Sequence, residues 1–377
     1  RSRSRGAGPG VDGLVLSTGA STLRALSIIG FGASGVLIDG AGGNTVTLCH
    51  IGLNGSGGAV GNGHSGVYIR SSPDNRIGPG NVISGNAVDG VRIDLAAATG
   101  NAVFGNRIGT NSSGTGAIAN GYNGVVITAA SDNRIGGSTP SDLNLISGNT
   151  RNGVGIAGGA SGNLVARNYI GLAADGATAL GNGEDGVLIV DSPSNLVGGD
   201  VTGTYNIIAA NGAHGVELRG DGADANTIQR SIIGSDLFGT LDRGNGRAGV
   251  YLTPTAGGSG ASDNRIGSAA FGAGGNLISG NGWAGVHVEY AIGTQIRGNR
   301  IGTDFAGTAA LPNAAGGIDI VAAWGTVIGS VDAGNLISGN ASSGIDAQFE
   351  GLLTVVGNRI GSTADGMMAL PDRKSVV

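Results

Sequence analysis

Lysine, cysteine, proline and aromatic residues are all scarce in this chain of 377 residues. Lys374 is the only lysine and the formal net charge is −5, so the sequence lacks the basic face that nucleic acids and anionic membranes attract. Cys49 is the only cysteine, which excludes an intramolecular disulfide. No run of about 18 apolar residues occurs, so we expect no membrane span.

Glycine, by contrast, is abundant, with 79 residues against 8 prolines. Gly-rich sequences without a period are typically disordered, but here glycine recurs at fixed phases. A Gly-Val-x-Ile motif, or a close variant, starts each repeat, and a self-similar period of 20–50 residues predicts a solenoid. The motifs begin at Gly13, Gly35, Gly66, Gly90, Gly124, Gly153, Gly186, Gly215, Gly249, Gly285, Gly317 and Gly344.

A second motif recurs along the chain: an isoleucine two residues after an Asn or a stand-in for it, usually in the frame Asn-x-Ile followed by Gly or Ser. Its isoleucines are Ile51, Ile83, Ile108, Ile146, Ile170, Ile208, Ile233, Ile278, Ile301, Ile337 and Ile360. Apolar and polar residues alternate with period two around both motifs, and no stretch has sustained helical periodicity. We therefore predict three short parallel strands per repeat, stacked into an all-β parallel β-helix (β-solenoid) of about 11–12 coils.

Asparagines at constant phase predict buried ladders. Stacked amides of this kind bond to the next coil and to turn backbone, so we interpret them as structural. The first ladder is Asn44, Asn75, Asn101, Asn133, Asn163, Asn195, Asn226 and Asn264, continued by Thr294, Thr326 and Thr354. The second is Asn81, Asn106, Asn144, Asn168, Asn206, Ser231, Asn276, Asn299, Asn335 and Asn358.

Particular strings carry a family resemblance. Gly-Asn-Arg-Ile-Gly-Thr at 105–110 and 298–303, and Asn-Leu-Ile-Ser-Gly-Asn at 144–149, resemble right-handed parallel β-helix repeat proteins of the pectin-lyase-like fold. Such repeats occur in secreted bacterial surface proteins. The resemblance covers about residues 13–371 and implies a single right-handed β-helix. It leaves the activity open, because the fold hosts polysaccharide lyases, hydrolases, epimerases and adhesins alike.

The remaining residues are expected to lie outside the repeat. We assign 1–12 to an N-terminal tail or partial coil. Residues 372–377 have a non-native appearance, because Leu370-Pro371 matches Leu311-Pro312 and the repeat then stops. Neither end has a recognisable capping unit, so we expect a monomeric rod within a longer chain.

Outward positions of the Gly-Val strands are the candidate site. The late repeats there carry Glu217, Arg219, Tyr251, His287, Glu289, Asp319 and Asp346. This stripe is a candidate for binding a sugar or a calcium ion, the alternative being an ordinary solvated face. The resemblance assigns no catalytic, cofactor-binding or metal-binding residue in this sequence. Calcium is the one cofactor that we consider.

Two other groups are expected to be structural. His64 and His214 precede Gly-Val strands, at turns that we expect to be solvated. Asp175, Asp236, Asp304 and Asp365 recur in loops of alternate, longer repeats and are expected to form turns. These loops, near 110–120, 172–182, 235–245, 303–313 and 362–371, are predicted to form a ridge.

The function that this sequence favours is a non-enzymatic extracellular scaffold or adhesin-type segment of a secreted or cell-surface protein. The alternative is a polysaccharide lyase, hydrolase or epimerase. A flat ice-binding face is a third class, although the outward residues are too irregular for it. Few aromatics are available to stack on sugars, which favours the scaffold. A polysaccharide or another cell-surface molecule is the expected partner.

Overall fold

Each repeat folds into three short strands. The computed structural model describes residues 3–5, 10–199, 201, 204–255, 257, 258, 260–268, 274–348 and 351–373. It divides into two units, Arg1–Glu184 (unit 1) and Asp185–Val377 (unit 2). Buried and more exposed residues alternate along several Gly-Val strands of both, as Val67 and Ile69 show within Val67–Arg70. This period of two is the pattern of a strand with one face on a core.

The described residues of unit 1 form nineteen strands and a short 3-10 helix at Pro140–Asp142. The strands are β1 (Arg3–Arg5), β2 (Leu14–Leu16), β3 (Thr22–Arg24), β4 (Ser27–Ile29), β5 (Val36–Asp39), β6 (Thr45–Thr47), β7 (His50–Ile51), β8 (Val67–Arg70), β9 (Arg76–Ile77), β10 (Val82–Ile83), β11 (Val91–Asp94), β12 (Ala102–Val103), β13 (Arg107–Ile108), β14 (Val125–Thr128), β15 (Arg134–Gly136), β16 (Asn144–Ile146), β17 (Val154–Ala157), β18 (Leu164–Ala166) and β19 (Asn168–Ile170).

Unit 2 has eighteen strands in its described part. They are β20 (Val187–Val190), β21 (Leu196–Val197), β22 (Asn206–Ile208), β23 (Val216–Arg219), β24 (Thr227–Ile228), β25 (Ser231–Ile233), β26 (Val250–Thr253), β27 (Arg265–Ile266), β28 (Leu277–Ile278), β29 (Val286–Glu289), β30 (Gln295–Ile296), β31 (Arg300–Ile301), β32 (Ile318–Val321), β33 (Val327–Ile328), β34 (Leu336–Ile337), β35 (Ile345–Gln348), β36 (Thr354–Val355) and β37 (Arg359–Ile360).

The strands of each unit form three parallel sheets, and each strand pairs with the strand three places later in the chain. The Gly-Val sheet contains β2, β5, β8, β11, β14 and β17 in unit 1, and β20, β23, β26, β29, β32 and β35 in unit 2. The Asn-x-Ile sheet contains every third strand from β1 to β19 in unit 1 and from β22 to β37 in unit 2. The middle sheet contains every third strand from β3 to β18 in unit 1 and from β21 to β36 in unit 2. The predicted parallel β-helix with three strands per coil and about twelve coils is confirmed. No helix in the described ranges is long and apolar enough to cross a membrane.

The isoleucine column forms the core on the inner side of the Asn-x-Ile sheet. Ten of its eleven members are fully buried, and Ile360 is the exception at 46 % exposed. Glycine starts each repeat because the next strand packs directly on this column. At Gly215 a Cβ atom would approach the Cγ2 of Ile233 to 2.5 Å and the carbonyl oxygen of Gly249 to 2.6 Å. No other residue fits that space without displacing the core.

Both predicted Asn ladders are present within the units. In unit 1, Asn44 Nδ2 donates to Asn75 Oδ1 at 2.9 Å, and Asn81 Nδ2 donates to Asn106 Oδ1 at 2.9 Å. In the first ladder of unit 2 the change from Asn264 to Thr294 ends the bonding. Asn264 Nδ2, Thr294 Oγ1 and Thr326 Oγ1 are buried there, and none of them has a hydrogen-bond partner among the residues that the structure describes.

A third ladder, which we did not predict, follows the Asn-x-Ile sheet. Each amide Nδ2 donates to the Oδ1 of the next at 2.8–3.0 Å. Its members are Asn62, Asn86, Asn120, Asn149 and Asn182 in unit 1, and Asn211, Asn245, Asn281, Asn313 and Asn340 in unit 2. Asp372, the first residue of the predicted tail, accepts from Asn340 Nδ2 at 2.9 Å in the place of a further asparagine.

The loops of the longer repeats stack on one another, which forms the predicted ridge within each unit. Ala174 N donates to Gly114 O at 2.9 Å in unit 1, and Ala364 N donates to Gly307 O at 2.8 Å in unit 2. Each loop thereby spans the shorter coil between two longer ones. The loop aspartates form turns as predicted: Asp175 accepts from the backbone N–H groups of Ala177 and Thr178. The Thr178 hydroxyl, which donates to Asp175 Oδ2 at 2.6 Å, lowers the pKa of Asp175 to about 2 together with these backbone bonds.

Candidate functional site

The stripe residues lie side by side on the Gly-Val sheet of unit 2. Parallel register sets Glu217 opposite Tyr251, Tyr251 opposite His287, His287 opposite Asp319 and Asp319 opposite Asp346. Adjacent strands are about 4.8 Å apart, so these side chains form one continuous column. The sequence predicted this juxtaposition, because one-coil shifts between Gly-Val motifs keep each position in phase.

Aromatic rings cover the middle of the column. The indole of Trp283, from the turn before β29, stacks on the His287 imidazole with ring centroids 4.3 Å apart. The Tyr251 ring lies 5.3 Å from His287 and 6.1 Å from Trp283. Trp283 remains 37 % exposed. Tyr251 and Trp283 thus form an aromatic surface on which a sugar ring could stack, a grouping that composition alone did not reveal.

His287 carries a buried ring nitrogen without a hydrogen-bond partner. The residue is 6 % exposed and its Nδ1 has no hydrogen-bond partner among the described residues. The nearest acid, Asp319, places Oδ2 at 3.8 Å from this nitrogen, beyond hydrogen-bond distance. The turn before β32 leaves no room for a side chain at Gly316, because a Cβ atom there would lie 2.2 Å from Asp319 Oδ1. An unpaired buried nitrogen is unfavourable unless a ligand supplies its partner.

Two polar pairs flank the rings. Arg219 binds both carboxylate oxygens of Glu217, with Nε to Oε1 at 2.7 Å and an Nη to Oε2 at 2.8 Å. The Tyr251 hydroxyl donates to Glu289 Oε2 at 2.7 Å. Burial raises the pKa of Tyr251 to about 12, and Glu289 contributes to the same shift. Tyr251 therefore stays protonated across the physiological pH range.

The exposure of the stripe differs from our expectation. We expected every outward position to be solvated, but Glu217 is 4 % exposed and His287 is 6 % exposed. The Arg219 guanidinium lies against the first, and the rings of Tyr251 and Trp283 lie against the second. Asp346, at the other end of the column, is exposed as expected.

Asp185 and His214 extend the column toward the start of unit 2, and the sequence did not lead us to them. We expected the His214 turn to be solvated, which is wrong, since the residue is 3 % exposed. His214 N donates to Asp185 Oδ1 at 2.8 Å, and its ring stacks on Tyr251 with centroids 4.6 Å apart. Burial raises the pKa of Asp185 to about 8, with Glu217 adding repulsion, and burial lowers the pKa of His214 to about 4. Asp185 is consequently protonated, and His214 neutral, at pH 7.

Asp185, His214 and Glu217 have the spacing of metal ligands, with one candidate atom each within 4.8 Å of the others. The chemistry of these atoms favours shared protons instead. His214 Nδ1 accepts a hydrogen bond from Ala248 N at 3.3 Å, which places the proton of the neutral ring on Nε2 and leaves that nitrogen no lone pair for a metal. Arg219 already binds both oxygens of Glu217, and a cation beside the carboxylate opposes a second one.

Comparison with solved structures identifies the architecture. A double mutant of the periplasmic alginate epimerase AlgG matches with a TM-score of 0.57 at 13 % identity, over 93 % of this chain and 77 % of that one. AlgG itself matches with a TM-score of 0.50 at 12 % identity, over 92 % and 77 %. The chain is a right-handed parallel β-helix protein. No protein-family model matches it, and no curated protein is similar to it in sequence.

These likenesses are too low in identity to carry an activity across and establish the fold alone. The residues of the unit 2 column, rather than the repeats, therefore decide which function to propose.

Proposed function

We propose that this protein is a carbohydrate-active β-helix that acts on a polysaccharide at the Gly-Val sheet of unit 2. The observation that carries the proposal is the buried Nδ1 of His287, which has no hydrogen-bond partner in the described part of the chain and lies beneath the partly exposed indole of Trp283. An aromatic face next to an unpaired proton acceptor is suited to holding a sugar ring beside a base. The AlgG likeness supports the same class.

The reaction class that fits these residues is proton abstraction from a sugar carbon next to a carboxyl group, as in an epimerase or a lyase. His287 would take the proton through Nδ1. Tyr251, which stays protonated, would return a proton to the sugar carbon or to the departing glycosidic oxygen. The carboxyls of Asp185 and Glu217 are buried and already bonded, so they are less suited to the acid–base pair of a hydrolase.

Calcium is the ion to include in the test. Asp319 and Asp346 lie opposite each other on adjacent strands, and paired carboxylates either share a proton or recruit a cation. A polysaccharide substrate also implies an exported protein, and we propose an extracellular, cell-surface or periplasmic location.

The test is a turnover assay on alginate, polygalacturonate and neutral glucans, with and without calcium. Double-bond absorbance detects elimination and NMR detects epimerisation. We expect turnover of a uronate polymer, lowered about 10²–10⁴-fold in His287→Ala and in Tyr251→Phe. His64→Ala is the matched control, because His64 Nδ1 already lies near the Ser34 and Ser65 hydroxyls in unit 1. Binding of these polysaccharides without any turnover would refute the proposed enzymatic activity and would favour the scaffold interpretation.

A further inference from the structure

A second recognition site is indicated on a different sheet of unit 2. A cavity of about 340 Å³ lies on the outward side of the Asn-x-Ile sheet, beside the loop that contains Ala364. Arg300, Leu336 and Arg359 occupy register positions on β31, β34 and β37, so the two arginines flank the leucine. We name this space the Arg300–Arg359 groove. Its volume is in the range of sites that hold a small ligand or a sugar unit.

The groove is cationic in a chain whose net charge is negative. None of its lining residues is acidic. In the described part of the chain, no carboxylate lies within ion-pair distance of Arg359. The Arg300 guanidinium donates a hydrogen bond to the backbone carbonyl of Phe305, which is a neutral group. Burial lowers the pKa of Arg300, which means that its positive charge is partly desolvated. A desolvated guanidinium gains most from an anion with two oxygens.

The acids of the neighbouring loops are engaged elsewhere. Asp304 Oδ1 accepts from the N–H groups of Thr308 and Ala309, at 2.7 and 3.1 Å. Asp365 Oδ1 accepts from Met367 N at 2.9 Å. Both carboxylates therefore bond within their own turns. Asp304 still acts electrostatically on Arg300, and Asp365 on Arg359, but the lining of the groove itself contains the two guanidinium groups and no carboxylate.

We propose that the Arg300–Arg359 groove binds the carboxylate or sulfate groups of an acidic polysaccharide, with the apolar face of the sugar on Leu336. The proposal stands independently of the catalytic proposal, because the groove lies on the Asn-x-Ile sheet and the His287 column on the Gly-Val sheet. A nucleic acid does not fit, since two arginines cannot follow a phosphate backbone.

Unit 1 contains a natural comparison. A groove of about 240 Å³ in the equivalent place is lined by Arg107, Leu145 and Ala174. Arg107 faces Leu145 across β13 and β16, as Arg300 faces Leu336. The unit 1 groove has one arginine, so its affinity for an anionic sugar should be much lower.

Titration calorimetry on the full chain tests the proposal with polygalacturonate oligomers, dextran sulfate, neutral dextran and sodium sulfate. We expect both acidic polymers to bind and neutral dextran not to bind. Arg359→Gln and Ala364→Glu should each weaken binding at least tenfold, and Arg107→Gln less than twofold. Raising NaCl from 50 to 500 mM should also weaken binding about tenfold, as charge recognition requires.

Several results would overturn the proposal. Neutral dextran could bind as well as dextran sulfate, or Arg107→Gln could weaken binding as much as Arg359→Gln. Sodium sulfate binding as tightly as the polymers would reduce the groove to a free-anion site. The variant His287→Ala separates the two proposals: it should lose turnover and keep groove binding. Loss of all binding in His287→Ala, with Arg359→Gln unaffected, would place the polymer on the Gly-Val sheet alone.

Discussion

At the scale of single residues, His214 was missed because its position relative to the Gly-Val glycine differs by one residue from that of His64. His64 stands two places before its Gly-Val glycine, whereas His214 stands immediately before Gly215, in phase with Asp185. We treated the two histidines as equivalent turn positions. Side chains of neighbouring residues point to different sides in extended backbone, so a shift of one residue exchanges a solvated position for a covered one. Closer alignment of the twelve glycines would have identified the Asp185–His214 neighbourhood.

The protonation of Asp185 gives a prediction at the same scale. A raised pKa stabilises the fold fully below the unfolded value of 3.8, and that contribution is lost as pH rises through about 8. We expect the free energy of unfolding to fall by about 1.4 kcal/mol between pH 7 and pH 9.5 from this group. Asp185→Asn keeps the neutral form and should remove that part of the decline. Urea unfolding of both proteins at the two pH values measures it, and equal declines would refute a protonated Asp185.

At the scale of elements, the sequence predicted the strands and two ladders, but not the third ladder or the burial of the stripe. Ladders follow from repeated residues at constant phase, and the third ladder has such a phase, because each of its asparagines stands four residues before a Gly-Val glycine, as Asn245 does before Gly249. That ladder could therefore have been predicted from the same alignment and was overlooked. The cover over Glu217 and His287 comes from Arg219, Tyr251 and Trp283, which belong to no repeat. Interactions among unrepeated side chains cannot be read from a period.

The third ladder carries a stability prediction. Asn245 Nδ2 donates to Asn281 Oδ1 at 2.9 Å, and its Oδ1 accepts from Asn211 Nδ2 at 2.9 Å. Asn245→Ala leaves buried amide groups of two neighbouring coils unpaired. We expect a loss of about 2–4 kcal/mol in the free energy of unfolding, because each unpaired group costs about 1–3 kcal/mol.

The control for that ladder variant is Gln295→Ala, on the outward side of β30, which should change stability by less than about 0.5 kcal/mol. Chemical denaturation of the two variants beside the original chain provides the comparison. Equal effects would mean that the ladder amides contribute no more than a surface amide.

At the scale of the whole molecule, repetition and chemistry are distributed differently. The repeated residues Ile, Asn and Gly build coils in both units and are accounted for by packing and amide bonding alone. The residues that suit a reaction are unrepeated and occur in unit 2, where Tyr251, Trp283 and His287 form one stack. This is why the fold could be predicted from the sequence, whereas the function we propose rests on unrepeated residues that the period does not reveal.

Hydrogen–deuterium exchange with and without a bound uronate oligosaccharide tests the central claim most directly. Alginate and polygalacturonate hexamers are the probes, and the Arg359→Gln variant is used so that the Arg300–Arg359 groove does not contribute. We predict slower exchange in β26, β29 and β32 and in the turns around Trp283 and Gly316, with the middle sheet unchanged. Binding that slows exchange only on another sheet, and leaves these three strands as they were, would contradict the placement of the proposed active site.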